Sequence, residues 1–378
     1  MMPIAVPPSS GDPKIIAFVL PQFHRVAEND RWWGEGFTEW VNVKRAKPLF
    51  KDHRQPRVPK DQNYYDLCDE RTQEWQAQLA RAHGVAGFCY YHYWFNGHRL
   101  LHKPVDLLLE RGKPDFPFCL AWANEPWTRA WDGGDREILM PQTYGKEAEW
   151  DAHFAELLRA FKDSRYIRIG GKPVFLIYRS ASIEECAAML ARWRALALLK
   201  GFPGLHLVQM LTGFDRDQRE GLFDAFAEFE PMYTMYHHLS RWQRRQETLA
   251  RHRAKLMRLL TGVAPHAPNS FEYRRVWQSM IDRQGRPDHY PGGFVDWDNS
   301  PRRALERAII FRGFSIEVFE AGLRAQYEKA RGSGAPFVFL NAWNEWAEST
   351  YLEPDEHNGD RLLEAVARVV NSGSGQSP

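Results

Sequence analysis

Two glutamates three residues apart, Glu345 and Glu348, stand in the stretch "NAWNEWAES" (341 to 349), directly after the apolar run "PFVFL". Two carboxyl groups held close together are what chemistry at a sugar's anomeric carbon requires. One protonates a leaving oxygen while the other serves as base or nucleophile. If the chain begins a helical turn here, the two fall on one face with Cβ atoms about 5 to 6 Å apart. Carboxyls so close tend to hold one proton between them, which raises one pKa and supplies an acid and a base near neutral pH. A solvated helix face is the plain alternative for any E-x-x-E, but the neighbouring Asn341, Trp343, Asn344 and Trp346 do not suit such a face.

A pair of this kind needs rigid elements beneath it. Apolar runs rich in Val, Ile, Phe and Tyr recur along the chain with helical patterns between them, the alternation that predicts parallel strands joined by crossover helices. Eight such runs are legible, at 14–23, 84–95, 117–125, 172–178, 205–211, 223–229, 290–298 and 336–345. Helical spacing covers 69–83, 146–163, 182–199, 314–331 and 358–370. The reading is an α/β chain folded as a (β/α)8 TIM barrel, with a short leader at 1–13, one catalytic domain at 14–370 and a Gly/Ser tail at 371–378. An open doubly wound sheet competes, but "VLPQFH" after the first strand has none of the glycines of a phosphate-binding loop. Two insertions, 24–68 and the basic helical stretch 240–262, are expected to project from the barrel's top as substrate-shaping loops.

In such barrels the active site forms at the C-terminal ends of the strands. The first strand then offers Gln22 and His24, the second Tyr91, His92, Tyr93 and Trp94, and the third Trp122, Asn124, Glu125 and Trp127. The seventh offers Asp296, Trp297 and Asp298, and the eighth Asn341, Trp343, Asn344 and Trp346 around the two glutamates. Strand alternation makes one set of the Tyr90–Trp94 cluster core and the other pocket. Trp33 and Trp40 lie in a Gly- and Trp-rich insertion that can fold over a sugar ring or simply be pinned to the barrel. Glu125 is a candidate sugar contact or second acid, or an anchor for a loop through Arg129. The "DWD" of 296–298 resembles a cation-holding motif of nucleotide-sugar transferases, but two aspartates on one side of a strand suit sugar hydroxyls as well.

Composition narrows the classes. Charges nearly balance at +2 and no long basic block interleaves with aromatics, so nucleic acid is not an expected partner. Aromatics make up 14% of the chain with 15 Trp, more than a core of this size needs and suited to flat ligands such as carbohydrate. Cys68, Cys89, Cys119 and Cys186 are scattered and read as reduced thiols. His24, His92 and His98 show no ligand spacing, so neither a metal nor a cofactor is expected. No apolar run is long enough to span a membrane, and "MMPIAVPPSSGDPK" lacks the pattern of an export signal, which makes a cytoplasmic location the expectation.

"LPQFH", "WWGEGFTEW", "GFCYYHYWFNG", "WANEPWTRAWDG" and "NEWAESTYLEP", occurring in that order, resemble the WbsX-type family of bacterial surface-polysaccharide clusters over residues 14 to 365. That family is similar in turn to glycoside hydrolase family 99, the endo-acting α-mannosidase group with a (β/α)8 fold, mainly through the last of these motifs. The resemblance implies a retaining glycosidase. Glu345 would deprotonate the substrate's own 2-hydroxyl, which attacks the anomeric carbon to give a 1,2-anhydro sugar, and Glu348 would protonate the leaving oxygen and then activate water or an acceptor. Glu353 would orient rather than react. A glycosyltransferase of O-antigen or capsule assembly is the second expectation, and a barrel that only binds polysaccharide the third.

Overall fold

The computed structural model describes residues 11–129, 137–214, 218–261, 269–303 and 305–373. The barrel strands are β1 (Lys14–Val19), β2 (Val85–Phe95), β3 (Phe118–Trp122), β4 (Lys172–Ile177), β5 (His206–Leu211), β6 (Ala225–Glu228), β7 and β8 (Phe337–Asn341). β7 is one run broken at Pro291 into His289–Tyr290 and Gly292–Phe294. All pair in parallel in the order 1 to 8, and β8 returns to β1 in the register Ile16↔Phe339 and Ala17↔Leu340.

The break in β7 lets the ring close. Its first half pairs with β6 through Phe226↔His289, and its second half pairs with β8 through Gly292↔Phe339. Across the break, the Phe339 amide donates to the Pro291 carbonyl at 3.0 Å. Gly292 is required at this crossing, because a Cβ there would lie 1.9 Å from the Glu228 carbonyl oxygen.

The strands are near-continuously apolar because both faces are covered, with side-chain layers inside and helices outside. Ten helices of the described chain are α1 (Ala27–Trp33), α2 (Glu39–Arg45), α3 (Glu70–Ala82), α4 (Lys103–Arg111), α5 (Glu147–Phe161), α6 (Cys186–Leu199), α7 (Arg241–Thr261), α8 (Tyr273–Ile281), α9 (Ile316–Ser333) and α10 (Arg361–Gly373). Local sequence sets several of their ends. Asp69 caps α3 by accepting from the Arg71 amide, and Ser315 caps α9 by accepting from the Val318 amide. Gly334 ends α9 in the left-handed conformation that a residue without Cβ adopts readily.

The eight expected strands are present, with two departures in what joins them. No helix lies among the described residues between β5 and β6, so the ring lacks one crossover helix there. α10 also runs on to Gly373, past the expected end of the domain at 370. The four cysteines are free thiols, three of them buried. No described helix is long and apolar enough to cross a membrane.

Candidate active site

The chain leaving β8 does not enter a long helix. Asn344–Glu345 pairs antiparallel with Thr350–Tyr351, and the hairpin between them is a single 3-10 turn, Trp346–Glu348, closed by Ser349 at φ 57°. The turn still brings the two glutamates to one place. Both accept from the guanidinium of Arg302, Glu348 at 2.9 Å and Glu345 at 3.3 Å, while the Arg302 Nε donates to Glu39 at 2.9 Å. Arg302 sits in the loop after β7, and Glu39 opens α2 in the first insertion.

Three carboxyls around one guanidinium carry an excess of negative charge in a site where the Arg302 side chain is only 4% exposed. Burial pushes Glu345 up to about 8, against the pull of Arg302 and with help from Glu348. Burial also raises Glu348, again opposed by Arg302 and reinforced by Glu39. The cluster therefore keeps a proton at neutral pH, as adjacent carboxyls in a dry site must.

This has a consequence for stability. A carboxyl whose folded pKa lies above its unfolded value of about 4.3 binds more protons when native, so its contribution is full below the unfolded value. That contribution is lost as pH rises through about 8. The melting temperature should fall more steeply between about pH 5 and 8 for the wild-type chain than for Glu345→Gln, which has no such proton to lose. Parallel melting curves across that range would show that Glu345 is not held protonated.

The rest of the hairpin is held from behind. Glu353 accepts hydrogen bonds from the Trp346 indole at 2.6 Å, Gln76 at 2.7 Å and Tyr65 at 2.9 Å, and burial raises it to about 7 against those donors. Asn344 clamps β1: its amide donates to the Leu20 carbonyl at 3.0 Å and its oxygen accepts from the Leu20 amide at 2.7 Å. The strap between the two glutamates is thus fixed by Trp346, which also stacks on Tyr351 with ring centroids 3.8 Å apart.

Glu345 and Glu348 open into a cleft of about 450 Å³ at the C-terminal ends of the strands. Tyr91, Tyr93, Trp127, Tyr178, Phe229 and Trp297 form its aromatic walls, and Glu125, Arg179, Arg302 and Arg303 add charge. Glu125 is raised by burial, and its partner is Arg179 at 3.0 Å rather than Arg129, which instead pairs with Glu137. A smaller hollow beside the cleft is lined by Gln22, Trp33, Phe37 and Glu39 and shares Trp127 with it.

Several candidate residues lie elsewhere, each for a visible reason. On β2 the alternation sends Tyr91 and Tyr93 into the cleft, and His92 and Trp94 outward against His153 of α5. Burial holds the His92 imidazole down at about 3. Trp122 and Trp343 are core, and Trp40 is pinned by its indole to the Tyr65 carbonyl at 2.8 Å and packs on Trp346. Asn124 caps the chain after β4 by accepting from the Arg179 amide, and Asn341 donates to the Glu230 carbonyl. His24 Nδ1 donates to the Pro21 carbonyl at 2.7 Å, and burial lowers the imidazole to about 4.

Asp296 and Asp298 do share one side of the chain, but it is the side facing the first insertion. Asp296 accepts from Arg57 at 2.8 Å, and Asp298 from His53 at 2.8 Å and Gln55 at 2.6 Å. They strap residues 53–57 to the barrel while Trp297 between them faces the cleft. Among the described residues no group of His, Cys, Asp and Glu is arranged to hold a metal ion. The second insertion also departs from expectation: the cleft is lined by Met232 and Tyr236 before it, and not by α7.

A family model described as glycosyltransferase WbsX matches residues 15–366. The chain belongs to the WbsX family. This WbsX chain is 36% identical over 362 residues to "Uncharacterized protein WxcX" of Xanthomonas campestris pv. campestris strain B100, covering 94% of itself and 49% of that protein. The WxcX protein of strain ATCC 33913 matches to the same extent, so the WbsX chain spans about half the length of the curated relatives it matches. Among solved structures, a "glycoside hydrolase-like protein" superposes with a TM-score of 0.59 at 14% identity, over 98% of this chain and 97% of the other. The GH99 endo-alpha-mannosidase from Bacteroides thetaiotaomicron gives 0.52 at 14% identity, over 95% and 96%. At such identities the likeness is one of fold, and it places the WbsX chain among (β/α)8 barrels.

Four residues central to the site are absent from the sequence reading. Tyr178 and Arg179 directly follow "KPVFLI", where the strand-end rule applied to the fourth strand finds them. Glu39 lies inside "GEGFTEW", a motif read for its tryptophans. Arg302 belongs to "SPRR", whose only signal is a run of cations just beyond the seventh strand.

Proposed function

We propose that this WbsX chain is a carbohydrate-active enzyme acting with retention on a glycosidic bond of a bacterial surface polysaccharide or its precursor. The observation that carries the proposal is the pair Glu345 and Glu348, held together on one buried guanidinium and opening into an aromatic cleft. Binding alone needs no acid and base in contact, which speaks against a barrel that only holds polysaccharide. The tyrosine and tryptophan walls suit the apolar faces of sugar rings.

The roles follow from the family resemblance. Glu345 removes the proton of the substrate's 2-hydroxyl as that oxygen bonds to the anomeric carbon, and the bond to the leaving oxygen breaks as Glu348 protonates it. Glu348, now a carboxylate, takes a proton from water, which adds to the anomeric carbon and opens the 1,2-anhydro ring, and O2 regains its proton from Glu345. In the unliganded site burial favours the proton on Glu345. A sugar hydroxyl donating to Glu345 stabilises its ionised form and leaves the shared proton to Glu348, as the sequence of steps requires.

Transfer to a sugar acceptor is the second reading, and the description of the family favours it. The same pair then serves with an acceptor hydroxyl in place of water. A transferase that holds a nucleotide diphosphate through "DWD" is less well supported, because Asp296 and Asp298 are engaged by Arg57, His53 and Gln55. Mass spectrometry of products decides between the readings. The chain is incubated with bacterial surface polysaccharides, and separately with nucleotide sugars plus acceptors. New reducing ends from the first pool are the expected result. Nucleotide release with a lengthened acceptor would establish the transferase, and a 2-deoxy substrate cleaved at the normal rate would exclude the anhydro-sugar route.

A further inference from the structure

The basic stretch after β6 takes no part in the cleft, yet it is the most unusual surface of the molecule. α7 (Arg241–Thr261) rests on the barrel through few groups: Ala254, Gln243 donating to Ser279 at 2.7 Å, and Glu247. Glu247, the helix's sole carboxylate, is buried and bound by Arg275 and by Arg312 at 2.8 Å. Away from the barrel the helix exposes Trp242 (66%), Leu249, Leu256, Met257, Leu259 (77%) and Leu260.

Spacing shows what this exposure amounts to. Trp242, Leu249, Leu256 and Leu260 fall within about 40° of one another at 100° per residue, on the side opposite Glu247, and the stripe runs for about 27 Å. Arg245 and Arg253 are also exposed and border it, one on each side, with exposed Arg241 and Lys255 further round the helix, and no exposed carboxylate on the helix offsets them. A continuous apolar stripe edged by cations alone is the pattern of a helix that lies in the plane of an anionic lipid surface, with leucines and tryptophan among acyl chains and guanidinium groups at headgroup level.

We propose that α7 docks this protein on an anionic lipid bilayer. Charge selects this occupant over a second copy of the chain, since two such helices would bring cation against cation with no acid between them. It also selects lipid over a polyanion such as nucleic acid, for which the leucine stripe has no use. The helix is tied to the cleft as well: the Arg244 guanidinium donates to the carbonyls of Tyr236 at 2.7 Å and Leu239 at 3.1 Å, and Tyr236 lines the cleft. Docking through α7 therefore brings the cleft mouth close to the bilayer.

The test is co-sedimentation of the full chain with vesicles of phosphatidylglycerol and phosphatidylcholine, against vesicles of phosphatidylcholine alone. Binding to the anionic vesicles should be about tenfold or more tighter, and weakened at about 0.5 M salt. Leu249→Gln/Leu256→Gln/Leu260→Gln should lose it, as should Arg245→Gln/Arg253→Gln/Lys255→Gln. All six positions are exposed, so an unchanged far-UV circular dichroism spectrum is expected of both variants. Equal binding to both vesicle types, undiminished binding by either variant, or conversion of a dimer to a monomer by the leucine variant with vesicle binding unaltered would each overturn the proposal. The readout is lipid association alone, so its failure is distinguishable from failure of the glycosidic reading.

Discussion

Glu348→Gln is expected to lower turnover by about a thousandfold or more while leaving the cleft able to bind its glycan, within the range that general acid–base catalysis supplies. The amide keeps the shape of the side chain and its hydrogen bond to Arg302, so the variant tests the proton and little else. Glu345→Gln should fall as far if the 2-hydroxyl is the nucleophile, because no other carboxylate then removes its proton. The two effects should not add in the double variant, since the pair acts as a unit. Single-turnover kinetics with glycan binding measured separately checks both points. Full inactivation of Glu125→Gln with activity retained in Glu345→Gln would sink the assignment and move the chemistry to Glu125 and Arg179 across the cleft.

Arg302→Met is the second large effect, and here the fold suffers as well as the chemistry. The substitution keeps much of the side chain's length but removes the cation from the buried Glu39 and Glu345 and the partly buried Glu348. Breaking a buried ion pair by removing one partner costs about 3–5 kcal/mol. The loss depends on pH with a definite sign. Arg302 holds Glu345 and Glu348 down, so without it both rise further and the native state takes up protons. The cost should be smallest near pH 5, where the carboxyls become neutral, and largest near pH 8, where they must ionise or unfold. Urea midpoints at the two pH values measure this directly; equal losses at both would mean that the guanidinium is not what balances the cluster.

The fold was legible because it rests on repetition. Eight apolar runs at barrel spacing need no knowledge of contacts, and each appears as a strand. Glu345 and Glu348 were legible for a related reason, since both lie within one short stretch beyond a strand. What escaped was whatever depends on a partner far away in sequence. Arg302 meets Glu39 from 263 residues away and Glu348 from 46, in three separate loops, and no local pattern marks an arginine as the one that three acids will share. Asp298 shows the opposite error. Its type and position suit a sugar or cation site, and only the arrival of His53 and Gln55 from 245 and 243 residues away makes it a strap. Strand alternation resolved the Tyr91–Trp94 cluster into two sets, but which set faces the cleft depends on α5 and His153 lying behind β2.

The hairpin that carries the acid pair issues from β8, the strand that must lie between β1 and β7 before the ring is complete. Its clamp, Asn344, reaches back 324 residues to Leu20. On the ribosome the chain's first strand therefore waits for almost its last, and a nascent polypeptide has neither a closed ring nor its paired acids until residues 337–353 have emerged. Closure of the ring and pairing of the two carboxyls arrive in one event, so a translation product interrupted before it has neither.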